Sequence, residues 1–172
     1  MGTDILSPEL EKEEQVVAEL ERLGVRYLMR LSHITSRQNY PPVELIADIT
    51  WQPSSRVRNA LVSLFLAKPE YSAYIQQALR QVDQQQAILM KFFYTAAVLL
   101  QRKYANKCPD IILPDLFSKE LLVSGITPDE QLCSLGKKHQ EISGRNINWQ
   151  GTYENAAKHL FRRWELEKEW SK

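Results

Sequence analysis

Residues 84–106 read QQQAILMKFFYTAAVLLQRKYAN, and this stretch decides the fold class that the sequence predicts. Apolar side chains occupy nearly every face of a helix drawn over it, and only a narrow stripe is polar. A helix that is apolar almost all round must be enclosed by neighbours. Its apolar segment carries Lys91 and is shorter than the about 20 residues that a membrane-spanning helix needs. We therefore predict a buried central helix at 84–106 and no membrane partner.

The N-terminal part of the chain carries one helical stripe. Apolar residues recur at three- and four-residue intervals from Val16 to Ile34, although Gly24 interrupts the pattern. We expect one long amphipathic helix at 7–34, preceded by disordered residues 1–6.

Two further helices are expected in the C-terminal half. A capping-box pattern at 127–130 begins the first of them. The second is predicted at 152–170, with Thr152 as its N-cap. Between the central helix and these two, prolines and the loss of helical periodicity predict an irregular connector at 108–126, with room for one short helix at 115–122.

The composition is that of an ordinary folded domain. The 172 residues are 44% hydrophobic and 25% charged, with a formal net charge of +1 and only six glycines. We predict a single all-α domain, a bundle of six to eight helices. Cys108 and Cys133 match no zinc-ribbon spacing, and the N-terminus lacks the features of a secretory signal. The expected location is therefore the cytoplasm, with reduced thiols.

Motifs of catalysis and metal binding are scarce. None of the three histidines, at positions 33, 139 and 159, has a histidine or carboxylate three or four residues away, where both would face one site. The chain has no Walker A loop, no Gly-x-Gly-x-x-Gly and no Gly-x-Ser-x-Gly. We predict no metal and no cofactor, and a function that is not enzymatic.

One catalytic pair is still a candidate. Arg26 and His33 are seven residues apart, and so would share one side of a continuous helix. This spacing resembles the Arg–His pair of helical ribonucleases of the HEPN type. The resemblance implies that His33 is the general acid or base and that Arg26 steadies the phosphate. Tyr27 stands where that family has a polar residue, so this hypothesis ranks last of three.

Residues 43–67 match part of a helix-turn-helix pattern. Ala47 matches the small residue of the first helix, and Val57, ten residues later, matches an apolar position of the second helix. Trp51, however, stands at the position where the motif usually has a turn glycine. In such modules the first residues of the second helix contact DNA. The candidates for phosphate or base contacts are Ser54, Ser55, Arg56, Arg58 and Asn59. The apolar run at 61–66 favours a core helix instead, and the question becomes what neutralises the two arginines.

The charges are split along the chain. The N-terminal helix is acidic, whereas basic residues dominate the middle of the chain. Either the two regions pack together, within one chain or across a dimer, or the basic surface stays open to an anion such as nucleic acid.

Large aromatic residues cluster near the C-terminus, and such residues are enriched at interfaces. They are Trp149, Phe161, Trp164 and Trp170. Together with the split charge, they favour a non-enzymatic interaction or assembly subunit that forms homodimers or binds a protein partner. A nucleic-acid-binding regulator that uses 43–67 is the alternative.

Overall fold

Seven α-helices make up the structure, a computed structural model that describes residues 7–28 and 37–172. These residues contain no β-strand, and none of their helices is long and apolar enough to cross a bilayer. The predicted all-α bundle of six to eight helices is confirmed, whereas the disorder expected at 1–6 falls outside the described residues. The helices are α1 (Pro8–Arg22), α2 (Pro42–Trp51), α3 (Ser55–Ala67), α4 (Ile75–Leu79), α5 (Gln84–Lys103), α6 (Pro128–Ser143) and α7 (Trp149–Trp170).

The core is built around α5 and α3. Every side chain at 92–101 in α5 is buried, and so is every side chain at 60–66 in α3. The two helices pack on each other and both pack on α7, and all seven helices contribute to one hydrophobic cluster. Burial of one large side chain such as Phe65 stabilises the fold by about 1.5–3 kcal/mol. The central place predicted for 84–106 is confirmed, although α5 ends at Lys103 and a 3₁₀ turn follows.

The long helix predicted at 7–34 is wrong, because α1 ends at Arg22. Gly24 has a φ of +101°, a conformation that side chains with a Cβ rarely adopt. The N–H of Gly24 donates to the carbonyl of Glu21, and the N–H of Val25 donates to the carbonyl of Leu20. These two bonds form a Schellman motif, which ends the helix and turns the chain. Residues 29–34 of the prediction lie outside the described part.

The segment after α1 is fixed between α3 and α7. The Tyr27 hydroxyl lies 2.8 Å from the hydroxyl of Ser63, which also donates to the Ala156 carbonyl at 3.1 Å. Burial raises the pKa of Tyr27 to about 12, and the bond to Ser63 opposes that rise. On the other side, the Trp164 indole donates to the Gly24 carbonyl at 3.0 Å. The apolar residues Val25 and Leu28 beyond Gly24 are therefore buried in a non-helical segment.

The connector at 108–126 is irregular, as predicted, and the short helix considered at 115–122 is replaced by turns. Leu113, Phe117 and Leu121 are buried and anchor it to the core. The Gln101 side chain holds its backbone through the Ile111 carbonyl and the Leu113 N–H, both at 2.8 Å. The single side-chain amide of Gln101 thus takes the place of secondary-structure hydrogen bonds here.

The last helix begins three residues before the predicted boundary of 152–170. The Asn148 side chain caps it by accepting from the Gly151 N–H at 3.0 Å. Thr152, the predicted cap, lies inside the first turn and donates to the Asn148 carbonyl instead. The end of the helix at Trp170 agrees with the prediction.

Among the described residues, four basic side chains in the middle of the chain form ion pairs within the fold, but not with the acidic α1, and one of these pairs joins Lys107 to Glu165. Lys91 pairs with Glu120, and Arg102 pairs with Asp115, both in the connector. Lys103 contacts Asp129 and Glu154, each at 2.6 Å. The complementarity predicted for α1 is therefore supplied by the connector, α6 and α7.

Candidate functional site

A cleft of about 700 Å³ opens beside the predicted segment 54–59. We call it the arginine cleft. It lies between the α2–α3 turn, the start of α5, the end of α6 and the start of α7. Its polar lining residues are Thr50, Gln52, Ser55, Arg58, Asn59, Gln85, Gln86, His139, Ser143, Arg145 and Thr152. Its apolar lining residues are Trp51, Pro53, Ile88, Leu89, Phe92, Phe93, Ile142, Ile147 and Trp149.

Arg58 forms one wall of the cleft. Its Nη1 donates to the carbonyls of Gln52 at 2.6 Å and Pro53 at 2.7 Å. These carbonyls follow the end of α2, where the helix dipole is negative, so they hold the guanidinium without neutralising it. Burial lowers the pKa of Arg58, and the positive charge of Arg145 lowers it further. An arginine nevertheless stays protonated in proteins.

The charge of the cleft is one-sided. Arg145 is exposed in the loop between α6 and α7, and it faces the same space as Arg58. No aspartate or glutamate belongs to the lining in the described ranges. Asp83 precedes α5, but its carboxylate caps that helix by accepting from the Gln86 N–H at 2.8 Å. Two like charges without a carboxylate repel each other, and an anion between them would relieve that repulsion.

Helix termini add to the positive electrostatic potential of the cleft. The first turns of α3, α5 and α7 all reach the lining, and helix N-termini carry partial positive charge. In α3 the side chain of Ser54 makes no capping hydrogen bond, so the first-turn N–H groups lack a side-chain cap. The C-terminal ends of α2 and α6 also reach the cleft, but Arg58 covers the first and Arg145 follows the second.

An aromatic stack forms the deep wall of the cleft. The ring centroids of Phe92 and His139 are 4.4 Å apart, and those of His139 and Trp149 are 3.6 Å apart, with nearly parallel planes in both pairs. The Nδ1 of His139 lies 2.5 Å from the Tyr153 hydroxyl. Burial lowers the pKa of His139 to about 3, so the imidazole is neutral at physiological pH.

Two buried polar atoms of lining residues have no hydrogen-bond partner in the described part of the chain. They are Oε1 of Gln52, a residue only 5% exposed, and Nε1 of Trp149. The other amide atom of Gln52 donates to the Asp48 carbonyl at 3.0 Å. Since an unsatisfied buried group costs about 1–3 kcal/mol, a ligand that pairs with both atoms would recover part of that energy.

The nucleic-acid candidates divide into two groups. Ser55, Arg58 and Asn59 line the cleft, whereas Ser54 and Arg56 do not. Arg56 is exposed and donates to the Tyr27 carbonyl at 3.2 Å. Beyond this first turn α3 is enclosed by α5 and α7, so only its N-terminal end reaches solvent.

The candidate pair of Arg26 and His33 loses its structural premise. Arg26 follows the end of α1 and is not helical, so seven-residue spacing does not place the two on one helix face. The Arg26 guanidinium forms an ion pair with Glu167 at 2.8 Å and donates to the Glu21 carbonyl. His33 lies outside the described residues.

The four C-terminal interface candidates have different surroundings. Phe161 is buried, Trp149 is part of the aromatic stack, and Trp164 is hydrogen-bonded to Gly24. Trp170 is 65% exposed, and the Arg163 guanidinium lies 5.1 Å from its ring centroid.

Sequence reasoning missed the far side of the cleft. Arg145, His139 and the lining residues Gln85 and Gln86 of α5 are separated from 54–59 in the sequence by more than twenty residues, and no local pattern connects them.

The described residues contain no group of three His, Cys, Asp or Glu side chains that could hold a metal ion together. Comparison with protein-family models, with curated proteins and with solved structures finds no match for this chain.

Proposed function

We propose that the protein is a non-enzymatic interaction subunit and that the arginine cleft recognises an anionic group of its partner. The observation that carries the proposal is the pair Arg58 and Arg145, which face one cleft whose lining has no carboxylate among the described residues. Guanidinium groups bind carboxylates and phosphates through strong, often bidentate hydrogen bonds. The cleft volume also falls in the range of about 300–1,000 Å³ that is usual for ligand sites.

The protonation properties of the residues that line the cleft support a binding role over a catalytic one. General acid–base catalysis works best with a group whose pKa lies near the operating pH. The imidazole of His139 has a pKa lowered to about 3, and its Nδ1 is engaged with Tyr153. No aspartate or glutamate is among the described residues that line the cleft.

Self-association is the second part of the proposal. Four large apolar side chains of the connector are more than half exposed, namely Ile111, Ile112, Leu122 and Ile126, and Trp170 is exposed at the end of α7. Exposed apolar side chains of this size favour burial against another surface.

A cytoplasmic location fits the two free thiols, Cys108 and Cys133. Duplex reading ranks below these roles because α3 offers only its first turn.

Substitution of Arg145 tests the anion site. Only its backbone takes part in the hydrogen bonds of the loop, so Arg145→Gln removes a charge with little effect on folding. We expect the dissociation constant for inorganic pyrophosphate, measured by calorimetry at low salt, to rise about tenfold.

Arg56→Gln is the matched control, because Arg56 is an exposed arginine of α3 outside the lining. It should leave pyrophosphate affinity unchanged. If the unmodified protein binds neither pyrophosphate nor an acidic tetrapeptide at low salt, the proposed function is wrong.

A further inference from the structure

We infer that the anion held by the arginine cleft is the phosphate of a nucleotide whose base lies against Trp149. This inference rests on the proposed function, and it specifies the chemistry of the ligand. The cleft offers more than a simple anion needs, because the cationic side and a flat aromatic wall belong to the same space.

Trp149 is the end member of the aromatic stack and lines the cleft. Trp149 stacks in parallel on His139, and no second ring in the described residues stacks in parallel on the indole. Trp149 is partly exposed and belongs to the lining. Stacking on an aromatic side chain is the common way in which proteins hold a base without a duplex.

Hydrogen-bonding groups beside the wall match the edge of a base. The Nε1 of Trp149 is a donor without a partner among the described residues, and Oε1 of Gln52 is an acceptor without one. The side chains of Asn59, Gln85 and Gln86 also line the cleft. Bases carry donors and acceptors side by side, and amide side chains pair with such edges. A carboxylate peptide would use the arginines but would leave the wall and these groups without matching chemistry.

A nucleotide phosphate can come from a free mononucleotide or from the 5′ end of a strand. Both present the same phosphate and base to the cleft. Because the space is bounded by five helix ends, it suits one terminal nucleotide better than the middle of a duplex.

Calorimetry with the whole chain at low salt tests the inference. The probes are inorganic phosphate, adenosine, adenosine 5′-monophosphate, a 5′-phosphorylated tetranucleotide and an acidic tetrapeptide. We expect the mononucleotide to bind at least about tenfold more tightly than phosphate or adenosine alone, the ratio that stacking of one base produces. Tighter binding of the tetranucleotide than of the mononucleotide identifies a strand end as the source, and weaker binding identifies the free nucleotide.

Two variants locate the contacts. Arg145→Gln should weaken phosphate and mononucleotide alike, whereas Trp149→Phe should weaken only the mononucleotide, because the substitution removes the indole N–H and ring area. Arg56→Gln is the control, and circular dichroism verifies that each variant folds. Equal affinity for phosphate and mononucleotide, or tighter binding of the tetrapeptide, overturns the inference while the proposed function stands. Absence of binding by every anion overturns the proposed function itself.

Discussion

Arg56 and Arg58 are two residues apart on the same helix, yet their surroundings differ completely. Side chains at this spacing point away from each other on a helix. Arg56 is exposed and reaches the Tyr27 carbonyl, whereas Arg58 turns into the cleft and binds the carbonyls at the end of α2. Neither arginine pairs with a carboxylate among the described residues. The question of what neutralises them thus applies chiefly to Arg58, together with Arg145.

His139 makes folding depend on pH. Because burial lowers its pKa to about 3, it stays neutral in the folded protein while the unfolded chain takes up a proton below about pH 6.5. The unfolded state therefore binds more protons between these values, and stability falls as the pH falls. We expect a loss of about 1.4 kcal/mol in the free energy of unfolding between pH 7.5 and pH 5.5. Urea denaturation at both pH values measures it.

His139→Gln provides the comparison. The variant lacks this titration, so its free energy of unfolding should change by about 1.4 kcal/mol less over the same interval. The other two histidines are present in both proteins, and their contributions cancel. Equal pH dependence of the two proteins would contradict the assignment of a neutral, buried imidazole.

The helix ends show how far interactions between neighbouring residues determine where a helix begins and ends. The capping box predicted at 127–130 is confirmed, since Thr127 accepts from the Glu130 N–H and Glu130 accepts from the Ile126 and Thr127 N–H groups. These backbone donors hold the pKa of Glu130 below its ordinary value. The predicted cap of α7 was wrong by four residues, because Asn148 lies outside the apolar pattern that marked the helix.

Gly136 sets the approach of α6 to α7. An alanine there would favour the helix by about 1 kcal/mol. Its Cβ, however, would lie 2.9 Å from the backbone nitrogen of Gln150 in the first turn of α7, so one helix must shift. Since overpacking costs about 1–3 kcal/mol, we expect Gly136→Ala to destabilise the protein overall, as measured by urea denaturation.

Lys137→Ala is the control for this substitution, because Lys137 is the exposed neighbour of Gly136 on the same helix. Its effect on the free energy of unfolding should stay within about 0.5 kcal/mol. A gain of stability in Gly136→Ala would mean that the contact between α6 and α7 is looser than the geometry implies.

At the scale of the whole molecule, the large apolar side chains of the described residues that are more than half exposed lie at two places, the connector and the end of α7. Ile112 is 83% exposed and Ile126 is 92% exposed, although the connector between them is anchored in the core by Leu113, Phe117 and Leu121. We expect light scattering to give the mass of a dimer at micromolar concentration. Replacement of Ile112 and Ile126 by serine should shift the mass towards that of a monomer.

Trp170→Ser is the companion variant, since Trp170 is the exposed member of the four aromatic residues predicted to form an interface. If this variant alone dissociates the dimer, the interface lies at the end of α7, as the sequence predicted. A strict monomer at every concentration would rule out self-association.

The sequence by itself determined the all-α class, the buried central helix, the starts of α5 and α6 and the end of α7. These depend on apolar periodicity and on caps, which act between residues at most four positions apart. It failed where a local signal had two outcomes. Gly24 could mark a kink or an end, and only the burial of Val25 beside α1 and of Tyr27 against α3 selected the end.

Tertiary structure alone decided the candidate site. Ser55, Arg58 and Asn59 were predicted as a recognition element, but their cleft exists only because α3, α5, α6 and α7 pack with their ends together. His139, Arg145 and Trp149 reach it from distant parts of the chain. Whether a charge is neutralised and whether a polar atom has a hydrogen-bond partner depend on distances between groups in space. Local sequence patterns do not encode these distances. The arginines without carboxylate partners therefore became visible only once the helices were in place.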